Sequence, residues 1–313
     1  MADSQGLQQW HVSAPYLETH CSLGEGPYYE PATNTLRFVD IIKKRLHTVS
    51  LSEGASSLKT LQFDEAITVT ADIDGRDPQE TLLVGAKQGM AVLDRKTGKY
   101  EYVTKFGDEK AERIRSNDGV VDPNGGFWLG TMTDFGQGPF QPEGSLYRFT
   151  HTAPATRTRS GLTIPNSVGF SPDGRTMYFT HSTAREVVAW DYDPTAAAGG
   201  GGGSLTNERI FYRHASGSGE PDGFRVDTEG NLWHAVYGEG RVLKISPSGE
   251  VVGEVKIPTR NATCCEFVGG GDLVITTAAD EEGEGESKRL GGCVFRVTVG
   301  AEGTRRYAFK LDG

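Results

Sequence analysis

Apolar and polar positions along this chain alternate in short runs and show almost no helical period. Each run follows a cluster of turn residues: "EPATNTLRFVDI", "DPQETLLVGAKQ", "DPNGGFWLGTM", "SPDGRTMYFTHS", "DTEGNLWHAVY" and "GGGDLVITTA". Turn residues followed by β-branched and aromatic residues predict a tight turn and then a strand. The six segments begin near Pro31, Asp77, Asp122, Ser171, Asp227 and Gly269, at intervals of 46, 45, 49, 56 and 42 residues. Six units of that period predict an all-β chain, a six-bladed β-propeller with four-stranded blades. Strand–helix alternation is missing, which argues against an α/β fold. The tryptophan-aspartate and kelch signatures are missing too, so a different propeller lineage is expected.

Two polar inserts interrupt the pattern. "AAAGGGGGS", residues 196–204, cannot pack and costs much entropy to order, so it is expected to be a flexible outer hairpin loop. Blade-like sequence lies on both sides of it, so residues 1–313 are expected to form one propeller domain. "DEEGEGESKR", residues 280–289, is expected to be a solvated loop rather than a lid.

Charge narrows the partners. The formal net charge of −10 argues against nucleic acid or an anionic membrane surface and is compatible with binding a cation. No apolar run approaches the ~18 residues of a membrane span. The first ten residues, MADSQGLQQW, lack a basic-then-apolar pattern, so no secretory leader is expected and the Asn261-Ala-Thr263 sequon is expected to be unused. Four cysteines suit a reducing compartment, and a cytoplasmic location is expected. Cys264 and Cys265 are neighbours on a predicted strand, face opposite sides, and are not expected to share a metal.

Candidate chemistry appears when the residues before each turn are aligned. Glu25 lies six residues before Pro31; Asn117, Asn166, Asp222 and Cys264 each lie five before their turn; in the second unit Thr70 or Asp72 is the match. Rotation about a propeller axis brings equivalent positions to one mouth of the central channel. Glu, Asn, Asn and Asp there offer oxygen donors suited to a hard divalent cation, or to a borderline one such as Zn2+ or Mn2+. Arg115 sits two residues from Asn117, on the same strand face, and could reach a ligand oxygen. Any one of Asn-Ser, Pro-Asp-Gly or Asn-Asp-Gly reads as a turn; four at one phase favour a shared site. No Gly-x-Ser-x-Gly elbow on a strand-to-helix turn supports a serine hydrolase.

Taken in order, "LGEGPYYEP", "RSNDGVVDPNGGFWLGTM", "IPNSVGFSPDGRTMYFT", "PDGFRVDTEGNLWHAVYGEGRVLKISPSGE" and "TRNATCCEF" resemble the regucalcin (senescence marker protein)/gluconolactonase family, from about residue 15 to about residue 300. The resemblance implies a six-bladed propeller with one divalent cation at the channel mouth and hydrolysis of sugar (aldono-)lactones. Carried over position by position, it implies Glu25, Asn166 and Asp222 as metal ligands, Asp222 also as general base, and Arg115 and Asn117 as substrate-binding residues. Ca2+ is the first expectation for the ion, with Zn2+, Mn2+ and Mg2+ as alternatives. One departure stands out: after "GTM", where the family has a substrate-binding carboxylate, this chain has Phe135, with Asp134 beside it. The alternatives are a phosphotriesterase- or aryl-esterase-like hydrolase on the same propeller, and a non-enzymatic calcium-binding propeller.

Overall fold

The computed structural model describes residues 6–107, 112–151, 153–195 and 203–311. Each blade opens with an inner strand: Gly24–Glu30, Ile67–Ala71, Ile114–Val121, Pro165–Phe170, Glu220–Val226 and Ala262–Val268. Each inner strand contacts the next, and the last contacts the first, so the six line a closed channel. Within a blade, successive strands pair antiparallel and step outward. The turn segments that recur in the sequence are the hairpins joining the inner strand to the second.

The chemistry of those hairpins explains the motif. In blade three the Asp122 carboxylate accepts hydrogen bonds from the Asn124 and Gly126 amides at 2.9 and 2.8 Å and from the Trp128 indole at 2.9 Å. In blade five Asp227 accepts from the Glu229 and Asn231 amides and from the Trp233 indole in the same way. One buried carboxylate thus satisfies the turn's backbone donors and ties a large aromatic side chain into the wall between blades. Trp128 and Trp233 are fully buried, and truncating either to Ala would cost about 3–5 kcal/mol.

Four sheets hold four strands, and the other two depart from that plan at the N-terminus. Gln8–His11 adds a fifth, parallel strand to the outer edge of blade five, against Val251–Lys256. Blade six has three strands, and Tyr16 and Leu17 bridge to Val294 at its outer edge, with N···O distances of 2.8 to 3.0 Å. The chain's beginning therefore covers edges that would otherwise present unpaired backbone groups.

At the other terminus, residues 302–310 cross the far end of the channel. Glu302 and Thr304 bond the backbone of blade five, Phe309 that of blade two, and Lys310 that of blade three. Phe309 is fully buried.

Most of 280–289 is exposed to solvent, as expected, but it is not an irregular loop throughout: the helix Gly285–Leu290 begins within it, and Leu290, just beyond it, is buried. Asp280 is gripped by Arg260 at 2.6 and 2.9 Å and accepts a bond from Ser287, which folds the acidic stretch back on the blade. Of the 196–204 insert, residues 196–202 lie outside the described residues, and Ser204 already belongs to the strand Ser204–Arg213. No helix among the described residues is long and apolar enough to cross a membrane.

Candidate active site

Every inner strand breaks register with its neighbour at the same level. The shifts fall between Glu25 and Tyr28, Ile67 and Val69, Ser116 and Gly119, Pro165 and Val168, Pro221 and Phe224, and Ala262 and Cys264. A bulge suspends the alternation of side chains and re-aims the extra residue. Asn117 and Asp118 consequently both reach toward blade four: the Asn117 amide donates to Pro165 O at 2.9 Å, and Asp118 accepts from Ser167 Oγ at 2.5 Å. Asn166 and Ser167 behave likewise, Asn166 donating to the Asp222 carboxylate.

Glycine makes two of these bulges possible. Gly26 has a φ of +53°, a conformation that side-chain-bearing residues avoid. A Cβ on Gly223 would lie 2.4 Å from Cys264 Sγ, so only glycine lets Asp222 take its place.

A cavity of about 490 Å³ opens at the channel mouth on Glu25, Arg115, Asn117, Asn166 and Asp222. Asn166 also donates to Ser182 Oγ at 3.3 Å, while its own carbonyl oxygen is buried and has no partner among the described residues. Among the described residues, Glu25 accepts one hydrogen bond, from the Gly26 amide at 3.0 Å. Arg115, 1 % exposed, donates to Asn117 Oδ1 at 2.9 Å and packs 4.4 Å under the Phe135 ring. One layer down, Asp118 also accepts from the Gly119 amide, and Ser167 Oγ accepts from the Phe224 amide at 2.9 Å. Deeper still, Arg225 pairs with Glu266 at 3.1 Å.

This is an acid-rich, buried place. Burial, and then the charge of Asp118, push Glu25 up from 4.5 to about 8. Burial, then Glu25 and Asp118, hold Asp222 well above the usual carboxylate range. Burial pushes Arg115 down to about 10, against the pull of Asp134 and Glu25. His234 is pushed down to about 3 by burial and is neutral; its Nε2 donates to Asp222 O at 3.1 Å and holds the bulge.

Two raised carboxyls and an unpartnered amide oxygen are what a hard cation would satisfy. Among the described residues no three His, Cys, Asp or Glu side chains group closely enough to hold one ion. Glu25, Asp222 and the Asn166 amide oxygen are the oxygen donors that a hard divalent cation would find at this mouth.

The structure brings Glu25, Arg115, Asn117, Phe135, Asn166 and Asp222 into one cavity. Asp134 does not line it. Its carboxylate bonds Lys87 at 2.8 Å and the Phe135 amide at 2.8 Å, and lies 3.9 Å behind Arg115. Thr70 and Asp72 are not at the mouth: both are bound by Arg37 between blades one and two. The bulge identifies Thr68 as the equivalent position, bonded to Ser116 Oγ at 2.9 Å. Cys264 lies by the channel acids, whereas Cys265 points into the apolar core beside Trp233. Asp118 and Ser167 escape sequence reasoning because strict alternation turns them away from the channel; only the bulge turns them in.

Residues 23–279 match the model of the SMP-30/Gluconolactonase/LRE-like region. The L-arabinolactonase of Azospirillum brasilense is 35% identical over 278 residues, covering 87% of each chain. The 6-deoxy-6-sulfogluconolactonase of Pseudomonas putida is 32% identical, over 90% of this chain and 92% of its own. The crystal structure of a calcium-binding protein, regucalcin, from Agrobacterium tumefaciens superposes with a TM-score of 0.82 at 25% identity, over 98% of this chain and 99% of that one.

Proposed function

The chain belongs to the SMP-30/gluconolactonase/LRE-like family, and we propose that it opens sugar lactones by metal-dependent hydrolysis in the cavity built on Glu25, Asn166 and Asp222. The observation that carries this reading is the buried, acid-rich donor set with the unpartnered Asn166 oxygen. Relatives named as lactonases support the reaction class, and a structural neighbour described as calcium-binding supports Ca2+ as the ion. A divalent cation held there supplies Lewis-acid polarisation of the lactone carbonyl.

The remaining work falls to side chains of this chain. Asp222 takes a proton from the attacking water as its oxygen bonds the carbonyl carbon. The ring C–O bond then breaks, and the same proton passes to the departing ring oxygen, leaving an open hydroxy acid. Arg115 and Asn117, already bonded to each other, hold substrate oxygens and contribute orientation. Asp134 acts from behind by holding charge against Arg115 and Lys87.

The test is a pH-indicator hydrolysis screen over aldono-lactones, with chelator and metal add-back, on wild type and Asp222→Asn. Turnover that chelator abolishes, metal restores and Asp222→Asn lowers by about 10²–10⁴ is expected. Wild-type kcat in Asp222→Asn at saturating metal would falsify the role of the base.

A further inference from the structure

Eight large apolar side chains stay exposed among the described residues, and four of them line this one cavity: Ile42, Phe135, Phe140 and Tyr237, at 38 to 46% exposure. Ile42, Phe135 and Phe140 come from the turns between the second and third strands of blades one and three, and Tyr237 ends the second strand of blade five. Scattered singly, such residues would need no explanation; here four stand around one mouth, and Phe135 and Phe140 pack together into an apolar patch. The patch is ordered rather than loose. The Phe135 ring lies on the Arg115 guanidinium and meets Phe140 edge-on, 6.2 Å between centroids. Met132 of the same blade continues the wall inward.

The cavity is thus two-faced. Its floor is carboxylate, amide and guanidinium; the wall that Met132, Phe135 and Phe140 form above Arg115 and Asn117 on blade three carries no side-chain nitrogen or oxygen. A highly hydroxylated ring pressed on that wall would lose hydrogen bonds to water and regain none. At about 490 Å³, the space lies in the range that holds drug-sized ligands, more than one lactone ring fills.

We infer that this wall is a subsite for an apolar substituent, so that the preferred ligand is a lactone with a polar ring on the floor and an alkyl or aryl group against Phe135 and Phe140. The inference rests on the lactonase reading and adds its substrate class. It is tested by a readout that does not need turnover.

Uncleavable γ-lactams carrying methyl, propyl or pentyl groups are titrated calorimetrically into the Ca2+-loaded protein. Affinity should rise about fourfold per methylene until the substituent leaves the wall, with an increasingly negative heat-capacity change. Phe140→Ser should flatten that slope to about twofold. The kcat/KM values of the matching lactones, measured beside a pentono-lactone, should follow the same order. Lactam affinity independent of chain length, or a slope that Phe140→Ser leaves unaltered, overturns the subsite. A clear lactam slope with no hydrolysis of any lactone keeps the subsite and removes the lactonase reading. Hydrolysis of the pentono-lactone with a flat lactam slope does the reverse.

Discussion

Replacing Glu25 by Gln removes one buried charge at nearly constant size, and so reads the electrostatics of the cavity directly. Without a cation the Glu25 carboxyl sits at about 8, raised first by burial and then by Asp118, against an ordinary value of 4.5. A folded-state pKa above the unfolded one means that folding favours the protonated form. That contribution is complete below about 4.5 and is lost as pH rises through about 8. Each pH unit between the two is worth about 1.4 kcal/mol, so by about pH 9 the wild-type protein forfeits about 5 kcal/mol from this group. Gln does not titrate. In chelator, Glu25→Gln should therefore melt within a degree or two of wild type near pH 5 and roughly 10 °C above it near pH 9, taking about 2 °C per kcal/mol for a large domain. Relief of Asp222, which Glu25 also pushes up, adds in the same direction. Saturating Ca2+ should reverse the order, because the wild type gains binding free energy on folding and the variant has lost a ligand. The assay is thermal melting from about pH 5 to 9 with chelator and with Ca2+. A gap between the two proteins that stays constant with pH in chelator refutes the electrostatic argument. Equal Ca2+ shifts in both remove Glu25 from the ligand set.

Three other outcomes follow from the same geometry. Asp118→Asn keeps an oxygen for Ser167, loses the bond from the Gly119 amide, and removes a charge that bears on both Glu25 and Asp222; calorimetry should show Ca2+ affinity about tenfold weaker, and unchanged affinity would make Asp118 a structural residue only. Gly223→Ala drives a Cβ to 2.4 Å from Cys264 Sγ and 2.8 Å from Thr263 O, which should cost about 1–3 kcal/mol in denaturant melts; a wild-type midpoint would show that the bulge can relax. Phe135→Glu should move the kcat/KM ratio about tenfold toward polyhydroxylated lactones over deoxy ones, whereas a ratio moved by Asp134→Ala alone would assign the substrate-binding acid to Asp134.

Much of this architecture was legible in the sequence because the information is local. In blades three and five an Asp-x-x-Gly turn followed by a buried Trp specifies its own hairpin, and six turn-then-strand units at a steady period leave few folds open. The same period placed Glu25, Asn117, Asn166 and Asp222 at one level, since rotation about an axis maps like positions onto one another. It failed in blade two. There Thr70 and Asp72 looked suitable by count, but Arg37, from the neighbouring blade, claims both.

What only the tertiary structure decided lies between strands. Register is a property of a pair, so the bulge that turns Asp118 and Ser167 into the channel cannot be read from one strand's alternation. Whether Phe135 or Asp134 faces the cavity was likewise open in the sequence, because a loop has no period to argue from. Lys87 of blade two and Arg115 of blade three draw Asp134 away and leave the phenyl ring at the mouth. The raised carboxyls are the plainest case: Glu25, Asp118 and Asp222 are far apart along the chain, and only closing the ring buries their charges together.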